Sequence, residues 1–141
     1  MSRTKIMLAT LVLGATVALA GPAFADKMKV TLDSKSEVPP NTSAGAGTAD
    51  VDYDAASKKL TWKLTYSGLS GPATGAHFHG PAEAGKAAGV KVPIPNATSS
   101  PAEGSAVLTD DQIADLTAGK YYINVHTAAN PGGEIRGQVT K

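Results

Sequence analysis

His77 and His79 stand two apart in Ala76-His77-Phe78-His79-Gly80-Pro81-Ala82, and they are two of the chain's three histidines. On an extended strand alternate side chains leave the same face about 7 Å apart, so both imidazoles reach one object while Phe78 points the other way. That is a metal-ligand spacing. The third histidine, His126, lies in Tyr121-Tyr122-Ile123-Asn124-Val125-His126-Thr127, where strand alternation puts Tyr122, Asn124 and His126 on one face and Tyr121, Ile123 and Val125 on the other. If the two strands are neighbours, three imidazoles meet. All the chemistry read from the sequence depends on that adjacency.

An all-imidazole site suits copper or zinc, and at equal availability the affinity order favours Cu²⁺ over Zn²⁺. Imidazole must be neutral to bind, so occupancy is expected to fall as the pH drops below about 6.5. Water, Glu83 on the following loop, or Tyr122 and Asn124 beside His126 are the choices for a fourth ligand or a shield. Asn124, Glu134 and Arg136 are alternatively groups that orient the imidazoles, since a metal-bound histidine usually donates its other N–H to a carboxylate or carbonyl. Glu134 and Arg136 read equally well as a cross-strand ion pair of small energetic weight. The bland alternative for the histidines is an exposed strand face, with His126 paired to a carboxylate.

The chain has no cysteine. Nucleophilic thiolates, thiolate zinc sites, blue-copper cysteines and iron–sulfur clusters are therefore excluded, and the core must hold without disulfides. Arg3 and Lys5, an apolar run from Ile6 to Ala20, and Ala23-Phe24-Ala25 before Asp26 read as an export signal over residues 1–25. The mature chain is then 26–141, a single domain destined for the periplasm or the outside, with no membrane insertion after cleavage. Of 13 basic residues two precede Asp26, leaving 11 against 12 acidic ones, a net charge of −1 with neutral histidine. Lys and Asp are interspersed, so there is no basic footprint for nucleic acid or an anionic membrane.

The elements that would position the histidines are short and alternating. Strands are predicted over Met28–Leu32, Thr48–Asp54, Lys59–Tyr66, Thr74–His79, Val90–Pro95, Ser105–Leu108, Tyr121–Thr127 and Glu134–Val139, with turn signals between them, a pattern that points to an antiparallel β-sandwich or barrel. Ala49, Val51 and Tyr53 oppose Asp50, Asp52 and Asp54, and Leu60, Trp62, Leu64 and Tyr66 oppose lysine and threonine, so the second and third strands read as a hairpin with a half-buried face. Residues 80–89 read as a loop folding over the site strand. Prolines 93 and 95 suit an edge strand, and residues 96–103 read as another loop. Thr109-Asp110-Asp111-Gln112 fits a capping box opening a helix over Asp110–Thr117, with Ile113 and Leu116 as its buried stripe. Asn130–Gly133 closes a hairpin. The three aspartates of the second strand suggest calcium less than a solvated face, and Trp62 reads as core.

Gly75-Ala76-His77-Phe78-His79-Gly80-Pro81-Ala82, then Gly119–Thr127 and Asn130-Pro131-Gly132-Gly133-Glu134-Ile135-Arg136-Gly137-Gln138, resemble a CHRD domain, the module named after chordin and found in bacterial secreted proteins. The resemblance runs from about Val30 to Val139. It implies an all-β fold, an antiparallel Greek-key, immunoglobulin-like β-sandwich with one short helix, and leaves activity open. A more local similarity, His-x-His on one strand and Val-His on a later one, is to the copper-ligating histidines of copper,zinc superoxide dismutases; it covers His77, His79 and His126 and lacks a bridging histidine, a zinc-site cluster and a disulfide.

The function expected is metal handling in the periplasm through one ion, copper before zinc, on His77, His79 and His126. The competing class is a metal-free interaction module of the envelope with a protein partner. A dismutase-like redox enzyme comes third.

Overall fold

The computed structural model of the protein describes residues 25–141, and the export signal expected over 1–25 lies, but for its last residue, outside them. Among the described residues are eight strands and one helix: β1 (Asp26–Asp33), β2 (Ala46–Asp54), β3 (Lys59–Ser67), β4 (Ala73–His79), β5 (Val90–Ile94), β6 (Ala102–Val107), α1 (Asp110–Thr117), β7 (Tyr121–Thr127) and β8 (Ile135–Val139). No helix among them is long and apolar enough to cross a membrane.

Period-two alternation decides the strands. Met28, Val30 and Leu32 of β1, Ala49, Val51 and Tyr53 of β2, and Leu60, Trp62 and Leu64 of β3 are all buried, while the residues between them face solvent. Trp62 meets Phe78 of β4 edge-to-face at 5.2 Å, at the centre of the core. Burying each such side chain contributes about 1.5–3 kcal/mol, which is how a chain without disulfides holds together. The outer aspartates of β2 do not converge on a cation site. Asp50 and Asp52 pair with Lys29 and Lys27 across the strand, at 3.7 and 3.5 Å, and Asp54 accepts from Ala56 N–H and the Ser57 hydroxyl.

Helix α1 begins at its capping box: the Thr109 hydroxyl accepts from Gln112 N–H, and the Gln112 side chain accepts from Thr109 N–H. Leu116 is its buried residue, with Ile113 packed beside it. The chain start of β6 differs from expectation. Its inner positions are Ala102, Gly104 and Ala106, too small to give an apolar signal, because the Trp62 indole already fills that space: a Cβ on Gly104 would stand 2.7 Å from it.

All pairings are antiparallel, in the order β5-β4-β7-β8-β1-β2-β3-β6. The antiparallel all-β class and the short helix stand as expected. The immunoglobulin-like sandwich of two separate sheets does not: one eight-stranded sheet curls until its ends, β5 and β6, approach each other, making a nearly closed barrel. The physical reason lies at the corner where β8 meets β1, joined through Asp33 and Arg136. A Cβ on Gly137 would strike the Thr31 carbonyl oxygen and stand 2.6 Å from Val30 Cγ1. Glycine there lets two backbones close that would otherwise part into separate sheets.

Strands β4, β7 and β8 lie side by side, with His79 opposite Tyr122, His77 opposite Asn124, and Asn124 opposite Arg136. Their inner residues Ala76, Phe78, Tyr121, Ile123, Val125 and Ile135 belong to the core. Their outer face carries His77, His79, Tyr122, Asn124, His126, Arg136 and Gln138. It is covered by loops, which is why so many of these polar residues are buried.

Candidate metal centre

The adjacency of β4 and β7 brings the three histidines together. His126 lies opposite Gly75, which has no side chain, so the imidazole of His77, two residues along β4, reaches across to it. His77 Nδ1 and His126 Nε2 are 3.0 Å apart, and the rings of His79 and His77 are 5.6 Å apart between centroids. One ligand nitrogen from each of the three lies within 4.8 Å of the others.

The second nitrogens are already committed. His79 Nδ1–H donates to the Ala88 carbonyl and His126 Nδ1–H to the Pro131 carbonyl, both at 2.9 Å. Each bond fixes the tautomer and leaves Nε2 with a lone pair, which is how ligating histidines are generally oriented. In His79 that Nε2 is buried and has no hydrogen-bond partner among the described residues. A buried acceptor without a donor is costly in a finished site; a metal ion would satisfy it. Burial lowers the pKa of both His77 and His79, and for His77 the neighbouring imidazoles of His126 and His79 lower it further. These rings are therefore neutral at neutral pH, the form that binds metal.

A stacked column stands behind His79. Tyr122, on the central strand β7, has His79 of β4 on one side and Arg136 of β8 on the other. The Tyr122 and His79 rings are 4.9 Å apart and parallel within 2°, and the Arg136 guanidinium carbon lies 3.9 Å from the Tyr122 centroid. Loop 80–89 closes over this column as expected. Ala88 receives bonds from both His79 and the Tyr122 hydroxyl, Arg136 Nη1 donates to Lys86 O at 2.9 Å, and Gln138 Nε2 donates to Ala82 O.

The structure separates the other residues weighed for this site. Tyr122 stacks on His79, and its hydroxyl donates to the Ala88 carbonyl and accepts from Ala88 N–H. Asn124 is buried beside the cluster, donates to Gly132 O at 3.2 Å, and has an Oδ1 without a partner among the described residues. Glu83 is exposed and outside the histidine cluster. Glu134 and Arg136 do not pair with each other: Arg136 Nε donates to Glu37 at 2.9 Å, a buried ion pair with the two side chains 5% and 2% exposed. Glu134, also buried, accepts from Ser43, Thr127 and both the N–H and hydroxyl of Ser70, so it ties loops and touches no histidine. Glu37 and the Ala88 and Pro131 carbonyls are functional groups the sequence did not reveal. Glu37 sits in a polar loop 99 positions from Arg136, and no local spacing connects them.

These features define a class: an antiparallel barrel whose outer face, roofed by loops, holds a three-histidine cluster. The chain belongs to the CHRD domain family, whose model matches residues 28–139. Over 122 residues it is 34% identical to chordin of Xenopus laevis, an alignment that covers 81% of this chain and 13% of chordin. The chain thus spans a small part of that relative's length. No solved structure matches it.

Proposed function

We propose that this CHRD domain binds one metal ion through His77, His79 and His126, copper ahead of zinc, and that the exported protein serves metal handling in the periplasm or outside the cell. The observation that carries the reading is the unpartnered, buried Nε2 of His79, in a ring whose Nδ1 is pinned to Ala88 and whose neighbours are two further imidazoles. At metal–nitrogen distances of about 2.0–2.1 Å, tetrahedral ligand nitrogens stand about 3.3 Å apart. His77 Nδ1 and His126 Nε2, at 3.0 Å, are already close to that spacing, and a His79 nitrogen lies within 4.8 Å of ligand nitrogens of the other two. With three imidazole donors and no thiolate, the donor set favours copper at equal availability.

The test is a copper titration of the purified protein by calorimetry and electron paramagnetic resonance. One tight equivalent with nitrogen hyperfine structure, lost in His79→Ala and in the His77→Ala, His79→Ala, His126→Ala triple variant, is the expected result. No saturable binding by the native protein would sink the reading. A second reading is supported by the hydrogen bond between His77 and His126, which satisfies those two rings without metal: a metal-free interaction module of the envelope. Native-like folding and partner capture, unaffected by metal or chelator, would favour it. Metal-dependent removal of superoxide would instead favour redox chemistry at an open coordination position.

A further inference from the structure

A pocket of about 430 Å³ lies on the far side of Tyr122 from the histidines, between the β1–β2 loop and loop 80–89. Its lining includes Lys35, Val38, Pro40, Ala84, Arg136 and Gln138. Arg136 spends Nε on Glu37 and Nη1 on the Lys86 carbonyl, while Nη2 makes no hydrogen bond among the described residues. The side chain is only 5% exposed and lines this pocket. A buried guanidinium with unused N–H donors is thus part of the wall of a concave site. Its floor is fixed, because Gln138 holds its amide on the Ala82 and Gly119 carbonyls.

Charge decides what fits. Glu37 lines the same pocket, but its unpartnered Oε1 is buried on the side of Gly133, where a Cβ would strike it and Asn124, and Gly133 is not part of the lining. The lining carries two cations, Lys35 and Arg136, against one carboxylate already bonded to Arg136. An occupant with one negative charge completes that balance. A guanidinium offering paired N–H groups suits a planar carboxylate, and Val38, Pro40 and Ala84 suit an apolar body behind it.

We infer that this pocket is a binding site for a small organic carboxylate with an apolar tail, distinct from the metal centre and separated from it by the Tyr122 ring. It does not depend on metal, so its test is run on the purified protein in chelator. Hexanoate, hexanol and hexylamine are titrated separately against the amide and Arg side-chain NMR signals. The expected result is saturable shifts at residues 35–38 and 84–85 and at Arg136 Nε with hexanoate, at least tenfold tighter than with hexanol, and none with hexylamine. Ala84→Phe, at an exposed position that plugs the mouth, raises the hexanoate Kd at least tenfold, and Lys35→Glu raises it several-fold, with the rest of the spectrum unchanged. Equal affinity for hexylamine or hexanol, shifts scattered over surface lysines, or a Kd indifferent to Ala84→Phe would overturn it. A protein that takes hexanoate but no copper leaves this site standing and removes only the metal reading.

Discussion

Glu134→Gln should destabilise this protein by about 3 kcal/mol at pH 7, with the loss disappearing in acid. Burial pushes the Glu134 carboxyl up, but donors from Ser43, Thr127 and Ser70 outweigh it and hold the pKa at about 2, against an ordinary 4.5. Holding the carboxyl at about 2 instead of 4.5 is worth about 3 kcal/mol of preference for the ionised form in the folded state. Because the folded value is the depressed one, that stability is fully present above pH 4.5 and is lost as the pH falls from there through 2. Glutamine keeps the shape and removes the charge, and the Ser70 and Thr127 hydroxyls can turn round to accept from its amide. The variant therefore isolates the ionisation. Urea unfolding of both proteins from pH 7 to 2.5 is the assay. The gap in unfolding free energy should be about 3 kcal/mol at pH 7 and shrink steadily below 4.5; a gap that stays constant to pH 2.5 would refute the argument, since packing alone would then explain it.

Three further outcomes follow from the same geometry. Burial lowers His77 and His79, so protons compete with copper only below the ordinary histidine range near 6.5; copper affinity should hold from pH 8 to 6.5 and fall on further acidification, and a decline beginning above pH 7 counts against buried, neutral ligands. Glu37→Ala leaves the Arg136 guanidinium buried without its partner and should cost about 3–5 kcal/mol by chemical denaturation; a loss under 1 kcal/mol would mean the pair is solvated. Gly137→Ala drives a methyl group into the Thr31 carbonyl and should cost about 3 kcal/mol or more, with amide exchange quickened first in β1 and β8; a neutral substitution would show that the corner has room.

Sequence showed the inner faces of this barrel well, because period two is written in large residues: Val51 and Tyr53 against aspartates, Leu60, Trp62 and Leu64 against lysine and threonine. Where the inner positions are Ala102, Gly104 and Ala106 the same geometry leaves no trace, since the bulk that fills the space is supplied by Trp62 from β3. The choice between a sandwich and one curled sheet was likewise invisible. It turns on a missing Cβ at Gly137 against a carbonyl more than a hundred positions earlier, and no alternation reports on that.

The site divides in the same way. Histidine spacing and strand alternation were enough to group His77, His79 and His126, because a strand converts sequence interval directly into direction. What orients those rings is backbone carbonyl, Ala88 and Pro131, and carbonyls have no residue-type signature. Sequence reads Arg136 as a group that orients the imidazoles or as the partner of Glu134, yet long-range packing gives it to Glu37, while Glu134 accepts from the hydroxyls of three other segments. On an outer strand face, residues two apart are neighbours, but loops that fold over the face bring their own partners. With Arg136 already occupied by Glu37, the charge that faces the neighbouring pocket comes from its unused N–H groups and from Lys35, and that is why the expected occupant is an anion and not a metal.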